Sequence, residues 1–140
     1  MRKVLFLCTG NSCRSQMAEG WAKKLPAGKV EAFSSGTAPG DGIDTRAVKV
    51  MAEAGVDISG QKPKHLDNFR DAEFDLVVTL CDNARESCPV YWGKACKIHN
   101  GFDDPCTLTP EGSTDEEALP HYRRVRDEIK AFVEALPEYF

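Results

Sequence analysis

Val4-Leu5-Phe6-Leu7-Cys8-Thr9-Gly10-Asn11-Ser12-Cys13-Arg14-Ser15 is an apolar run that breaks into a polar, glycine-containing loop. Val4 to Leu7 read as a short strand buried on both faces. Beyond the loop, Met17, Ala18, Trp21, Ala22 and Leu25 recur at helical spacing until Pro26-Ala27-Gly28 stops them. A loop between a buried strand and a helix start turns its N–H groups, with the helix dipole behind them, toward a concave oxyanion site. Cys8, its first residue, is expected to have a thiolate stabilised by those donors, with a pKa below the free value of ~8.5. Arg14 offers a planar guanidinium to two oxygens of a tetrahedral anion. Ser15 is short enough to donate its hydroxyl to the thiolate. The candidate cradle is therefore Thr9, Gly10, Asn11, Ser12, Cys13, Arg14 and Ser15, with Cys13 read as a packed residue and not a second nucleophile.

Outward from this stretch, strands and helices alternate. Val30 to Ser35 reads as a second strand ended by Gly36, and Ala47, Val48, Met51 and Ala54 as a helix ended by a left-handed Gly55. Residues 59–73 show no clean period. Leu76 to Leu80 is a third buried strand and Ala95 to Ile98 a weaker fourth. Tyr122, Val125, Ile129, Phe132, Val133 and Leu136 lie on one helical stripe; Thr114 with Glu117 suits a capping box, and Pro120 suits a first turn. The alternation predicts an α/β fold, a three-layer α/β/α sandwich with a four-stranded parallel sheet. In such sheets ligands bind beyond the carboxyl ends of the strands. Cys8, Cys81 and the stretch from His99 to Asp104 all follow strands, so the reactive candidates gather at one edge.

The 140 residues are expected to form one domain over 1–140, without repeats or linkers. Eighteen basic and 22 acidic residues leave a net charge of −4, which argues against a general nucleic-acid surface. The longest apolar run, Val4 to Cys8, is far short of the ~20 residues of a membrane helix. It is also too short for a signal peptide's apolar region of ~7–15 residues. A soluble cytoplasmic protein is the expectation.

Six cysteines, Cys8, Cys13, Cys81, Cys88, Cys96 and Cys106, shape the chemistry. No close Cys-x-x-Cys pair exists to hold zinc. Cys96 and His99 have a ligand-like spacing, but a strand points them to opposite faces; Cys96 is expected in the core of the fourth strand. No metal and no cofactor are expected, and thiol chemistry in a reducing compartment is the default.

The opening stretch, extended through Gln16-Met17-Ala18-Glu19, resembles the signature of the low-molecular-weight protein tyrosine phosphatase fold. More narrowly, the chain is similar to the arsenate reductases of the thioredoxin-coupled class. Asp57-Ile58-Ser59, Asp75 to Cys81, Gly101-Phe102-Asp103-Asp104-Pro105 and Arg124 to Ile129 extend the resemblance over nearly the whole chain. It implies arsenate as substrate, with phosphate or sulfate as oxyanion mimics and thioredoxin as reductant. Cys8 is the implied nucleophile, Arg14 the oxyanion clamp, and Asp104, held before Pro105, the general acid, in preference to Asp103. Cys81 and Cys88 are the implied redox relay: Cys81 resolves the Cys8–arsenic adduct as a Cys8–Cys81 disulfide, and Cys88 then takes the oxidation to a Cys81–Cys88 disulfide.

A helix over 81–88 would separate those Cα atoms by ~10 Å. A disulfide needs roughly 4.4–6.8 Å, so the segment must unwind or loop out during turnover. Two departures from the family pattern stand out. Cys106 replaces the tyrosine that phosphatases usually carry after Asp-Pro. Asn11, Glu19 and Ser34 match a monovalent-cation site of some reductases, but Lys64 stands where a carboxylate would be, so its ammonium is expected in place of potassium. The rival readings are a phosphotyrosine phosphatase and a thiol-based redox or metalloid sensor.

Overall fold

The computed structural model describes residues 2–25, 30–82, 84 and 95–136. Strands β1 (Arg2–Cys8), β2 (Val30–Gly36), β3 (Leu76–Thr79) and β4 (Cys96–His99) form one sheet in the order β2-β1-β3-β4. Every pairing is parallel, with Leu5 opposite Phe33 and Val77, and Val78 opposite Ile98. Helices α1 (Arg14–Lys23), α2 (Thr45–Glu53) and α3 (Asp115–Glu134) and a 3-10 turn (Leu66–Phe69) complete the described elements. This is the α/β class read from the sequence.

The central strand β1 is apolar from Val4 to Cys8, because there both of its faces are covered. Val4 and Phe6 join the layer containing Met17, Ala18, Val50, Met51, Tyr122, Val125 and Ile129, contributed by the three helices. Leu5 and Leu7 point the other way, against Leu66, Phe74 and Ala84. There Phe33, Phe69 and Phe74 meet edge-to-face, with ring centroids 5.7–6.0 Å apart. The 3-10 turn carrying Leu66 and Phe69 is the apolar element inside the stretch that showed no period. At four residues it is too short for one to develop.

Several expectations are met and others corrected. Gly55 is left-handed, at φ +82°, just beyond α2. Thr114 and Glu117 form both halves of a capping box at the start of α3. Pro120 is consequently the sixth residue of that helix and not in its first turn. The helix tolerates it because Pro120 and Glu116, whose carbonyl loses a partner, are both exposed. Cys96 is exposed and not a core residue, because β4 is an edge strand whose described residues lie largely outside the apolar layers. The expected helix stop at Pro26-Ala27-Gly28 lies outside the described residues. None of the described helices is long and apolar enough to cross a membrane.

Candidate active site

β1 ends at Cys8 and α1 begins at Arg14, so the five residues between them turn across the carboxyl edge of the sheet. Their orientation is set from outside. The N–H groups of Thr37, Ala38, Gly40 and Asp44 donate to the carbonyls of Cys8, Thr9, Gly10 and Ser12 at 2.8–3.1 Å, and Gln16 Nε2 donates to the Asn11 carbonyl at 2.8 Å. With those carbonyls turned outward, the loop presents its N–H edge to the interior. Cys13, at the N-cap of α1, makes no side-chain cap and the first turn carries no acidic residue. A helix start without a side-chain cap or an acidic residue keeps its amide donors for an anion.

Two residues let the loop turn so tightly. Asn11 adopts φ +49°, a conformation that Asn tolerates better than most residues. Its side chain is tied on both sides: Nδ2 donates to Ser15 Oγ at 2.8 Å, and Oδ1 accepts from the Lys64 N–H at 2.8 Å. Gly36 lies under the loop, where a Cβ would fall 2.3 Å from the Thr9 carbonyl oxygen. Residues 37–44, Gln16 and Gly36 were not singled out as functional by sequence reasoning. Their contribution runs through backbone pairing, and the only available signal was the glycine-rich loop composition of residues 36–42.

Residues 8–14, with Asp44, Asp104 and Cys106, line a cavity of about 240 Å³. Arg14 lies along its wall, donating from Nη1 to the Phe102 carbonyl at 3.0 Å, with Nη2 3.6 Å from Asp104 Oδ2. Asp104 Oδ1 accepts from the Cys106 N–H at 3.0 Å, which fixes the carboxylate at the rim. Asp103 faces elsewhere and pairs at 2.9 Å with Arg124 on α3. Only Asp104 of the two therefore faces the cavity.

The structure brings Cys8 and Cys81 together as expected, but the pKa shift on Cys8 runs opposite to the sequence expectation. Cys8 is 3% exposed, and its Sγ donates to Cys81 Sγ at 3.6 Å, while Thr9 Oγ1 lies 3.3 Å from Cys81 Sγ. This contact moves the two thiols in opposite directions. The hydrogen bond to Cys81 and then burial push the Cys8 pKa up, with Arg14 and the Thr9 N–H opposing them. The Cys81 pKa is lowered to about 5, by the Cys8 hydrogen bond first and then by Thr9, the Ala84 N–H and Arg14. The depressed pKa falls on Cys81 and not on Cys8, because the hydrogen bond between the sulfurs lowers the acceptor and raises the donor. Ser15, fully buried, accepts from Asn11, so its place is as a support of the loop.

Cys13 is buried, and burial followed by the nearby Asp44 and Asp104 pushes its thiol up, in keeping with a packed residue. Cys88 lies outside the described residues. Lys64 brings its ammonium to 3.8 Å from Glu19 Oε1, which also accepts from the Ser34 hydroxyl at 2.6 Å. The ammonium therefore stands beside Glu19 and donates to the Lys62 carbonyl at 2.8 Å, and burial lowers its pKa. Among the described residues no cluster of three or more His, Cys, Asp or Glu is arranged to hold a metal ion.

A thiol pair at an N–H cradle, with a guanidinium and a carboxylate at its rim, defines a site for nucleophilic attack on a tetrahedral oxyanion. The chain belongs to the low molecular weight phosphotyrosine protein phosphatase family, whose model matches residues 3–139. Within that family it is similar to an arsenate reductase from Halalkalibacterium halodurans, 46% identical over 135 residues, which are 96% of this chain and 94% of that protein. An arsenate reductase solved in the phosphate binding state matches with a TM-score of 0.81 and 36% identity, over 99% of this chain and 98% of its own. A thioredoxin-dependent arsenate reductase from Corynebacterium glutamicum matches with a TM-score of 0.75 and 26% identity, over 99% of this chain and 61% of its own.

Proposed function

We propose that this protein reduces arsenate to arsenite through a relay of three cysteines. The observation that carries the reading is the approach of Cys81 to 3.6 Å from Cys8, the first residue of the oxyanion cradle. Reduction of arsenic from the +5 to the +3 state takes two electrons, and two thiols that become a disulfide supply two. A phosphatase needs no second sulfur at that place.

Arsenate enters with its oxygens toward the N–H groups of the loop and Arg14. Transfer of the proton from Cys8 to Cys81 leaves a Cys8 thiolate facing the arsenic. Sulfur attacks, a sulfur–arsenic bond forms, and one oxygen departs as water with a proton from Asp104. Cys81 gives that proton to an oxygen of the arsenic adduct, and its thiolate then attacks Cys8 Sγ. The sulfur–arsenic bond breaks, its electron pair stays on arsenic, and arsenite leaves behind a Cys8–Cys81 disulfide. Cys88 attacks Cys81, frees Cys8, and offers a Cys81–Cys88 disulfide to an external dithiol. The similarity to a thioredoxin-dependent enzyme supports thioredoxin as that dithiol, and such thiol cycling fits a reducing cytoplasm.

The test is arsenate-dependent NADPH oxidation with thioredoxin and thioredoxin reductase, run beside hydrolysis of an aryl phosphate. Sustained turnover with arsenate and slow or absent ester hydrolysis is expected. Rapid ester hydrolysis without arsenate turnover would make the protein a phosphatase. A disulfide formed without catalytic consumption of arsenate would make it a sensor.

A further inference from the structure

The cavity carries two carboxylates, and the chemistry above uses only Asp104. Asp44 caps α2, its Oδ1 accepting from the Arg46 N–H at 2.9 Å. Its Oδ2 accepts from the hydroxyl of buried Tyr122 on α3 at 2.6 Å, and its own N–H donates to the Ser12 carbonyl at 2.8 Å. Capping alone does not require a charge, since Ser, Thr or Asn serves as well. A negative group on the wall of an anion site opposes every anion unless the anion gives something back. Its field is felt locally: after burial, Asp44 is the next influence raising the pKa of both Cys13 and Tyr122.

A carboxylate has about four acceptor positions, so Asp44 keeps acceptor capacity beyond Arg46 and Tyr122. The loop and Arg14 supply donors to the cavity, and Asp44, which also lines it, supplies an acceptor. We infer that Asp44 is a specificity-determining residue whose carboxylate selects tetrahedral oxyanions bearing an O–H, such as hydrogen arsenate and hydrogen phosphate, over those bearing none, such as sulfate. Hydrogen phosphate and sulfate have closely similar shapes, and at mildly alkaline pH both are dianions. The hydrogen-bearing oxygen of the first donates to Asp44, while the second sets a bare oxygen against a like charge. The inference rests on the anion-cradle reading and adds the chemical feature by which the cradle chooses.

Calorimetric titration of the reduced protein with inorganic phosphate and with sulfate, at fixed ionic strength and mildly alkaline pH, tests it. Phosphate is expected to bind at least about ten-fold more tightly, the discrimination of one charge-assisted hydrogen bond. Asp44→Asn keeps a helix cap and should bring the two dissociation constants within about three-fold of each other, mostly through tighter sulfate binding. Tyr122→Phe leaves the carboxylate in place and should preserve the parental ratio; thermal melting checks that both variants fold. Equal affinities in the parental protein, an unchanged ratio in Asp44→Asn, or a ratio lost in Tyr122→Phe would each overturn the inference. If the parental protein binds neither anion, the cradle reading itself falls, an outcome distinct from binding both equally.

Discussion

The two sulfurs of the candidate site are held by different means. Cys8 lies at the end of the central strand, and its loop is fixed by backbone bonds from residues 37–44 and by the buried side chains of Asn11 and Gln16. Cys81 follows β3, where its sulfur is held by Cys8, Thr9 and the amide of Ala84. A cradle must keep its donors aimed during attack, because reorganisation at the transition state costs rate. A resolving sulfur must exchange partners, from Cys8 to arsenic chemistry to Cys88, and contacts made through its side chain permit that exchange.

The strongest way to break this division is to remove the fixed sulfur. Cys8→Ser should lower arsenate reduction and any ester hydrolysis at least about a thousand-fold, since both begin with the same thiolate. Either activity surviving at a near-parental rate excludes Cys8 as the nucleophile.

Next come the exchanging sulfurs, which should fail at separate steps. Cys81→Ser is expected to form little arsenite even in a single turnover. Cys88→Ser should release one equivalent and stop, with a Cys8–Cys81 disulfide recoverable by peptide mapping. Ester hydrolysis, if present, should survive both, because water resolves a phosphocysteine. Repeated turnover in both variants would end the relay.

A smaller loss is expected at the rim. Asp104→Asn should reduce turnover by about a hundred-fold or more while phosphate binding persists, and Asp103→Asn, which breaks only an exposed pair with Arg124, should change it by less than about three-fold. Matching losses would withdraw the proton from Asp104. Gly36→Ala places a methyl group against the Thr9 carbonyl, so the cradle must shift. Phosphate affinity and turnover should then fall together, by up to about a hundred-fold. Parental binding in that variant would mean the cradle is less rigid than its pairing suggests.

The mildest change concerns charge on Cys81. Its lowered pKa keeps the thiolate above about pH 5, and the thiolate is lost as pH falls through that value. Thr9→Val removes a donor to the thiolate, so the midpoint of Cys81 alkylation by iodoacetamide should move to higher pH, by roughly one unit. A midpoint that stays or falls would remove Thr9 from the stabilisation of that sulfur.

Some of this was legible before any coordinates. Val4 to Leu7 had to be a central strand, because four consecutive apolar residues beside a polar loop leave no solvent face. The α3 stripe and the Thr114–Glu117 box were equally readable, since both are local patterns. Cys96 was misread because hydrophobic type does not reveal that a strand lies at an edge. Pro120 was misplaced because the capping box six residues earlier determines where the helix begins. The pairing of Asp103 with Arg124, which separates it from Asp104, spans 21 positions and has no local signature.

The sequence by itself determined the order of strands and helices, the loop that joins a thiol to an arginine, and the cysteines available for a relay. These are properties of spacing and side-chain chemistry along the chain. Tertiary structure decided that the Cys8–Cys81 contact lowers the pKa of Cys81 and not of Cys8, that Arg124 draws Asp103 away from the cavity, and that residues 37–44 turn the loop's carbonyls away from it. Each depends on groups distant in sequence meeting within a few ångströms, where hydrogen bonding and charge reset what a residue does in isolation.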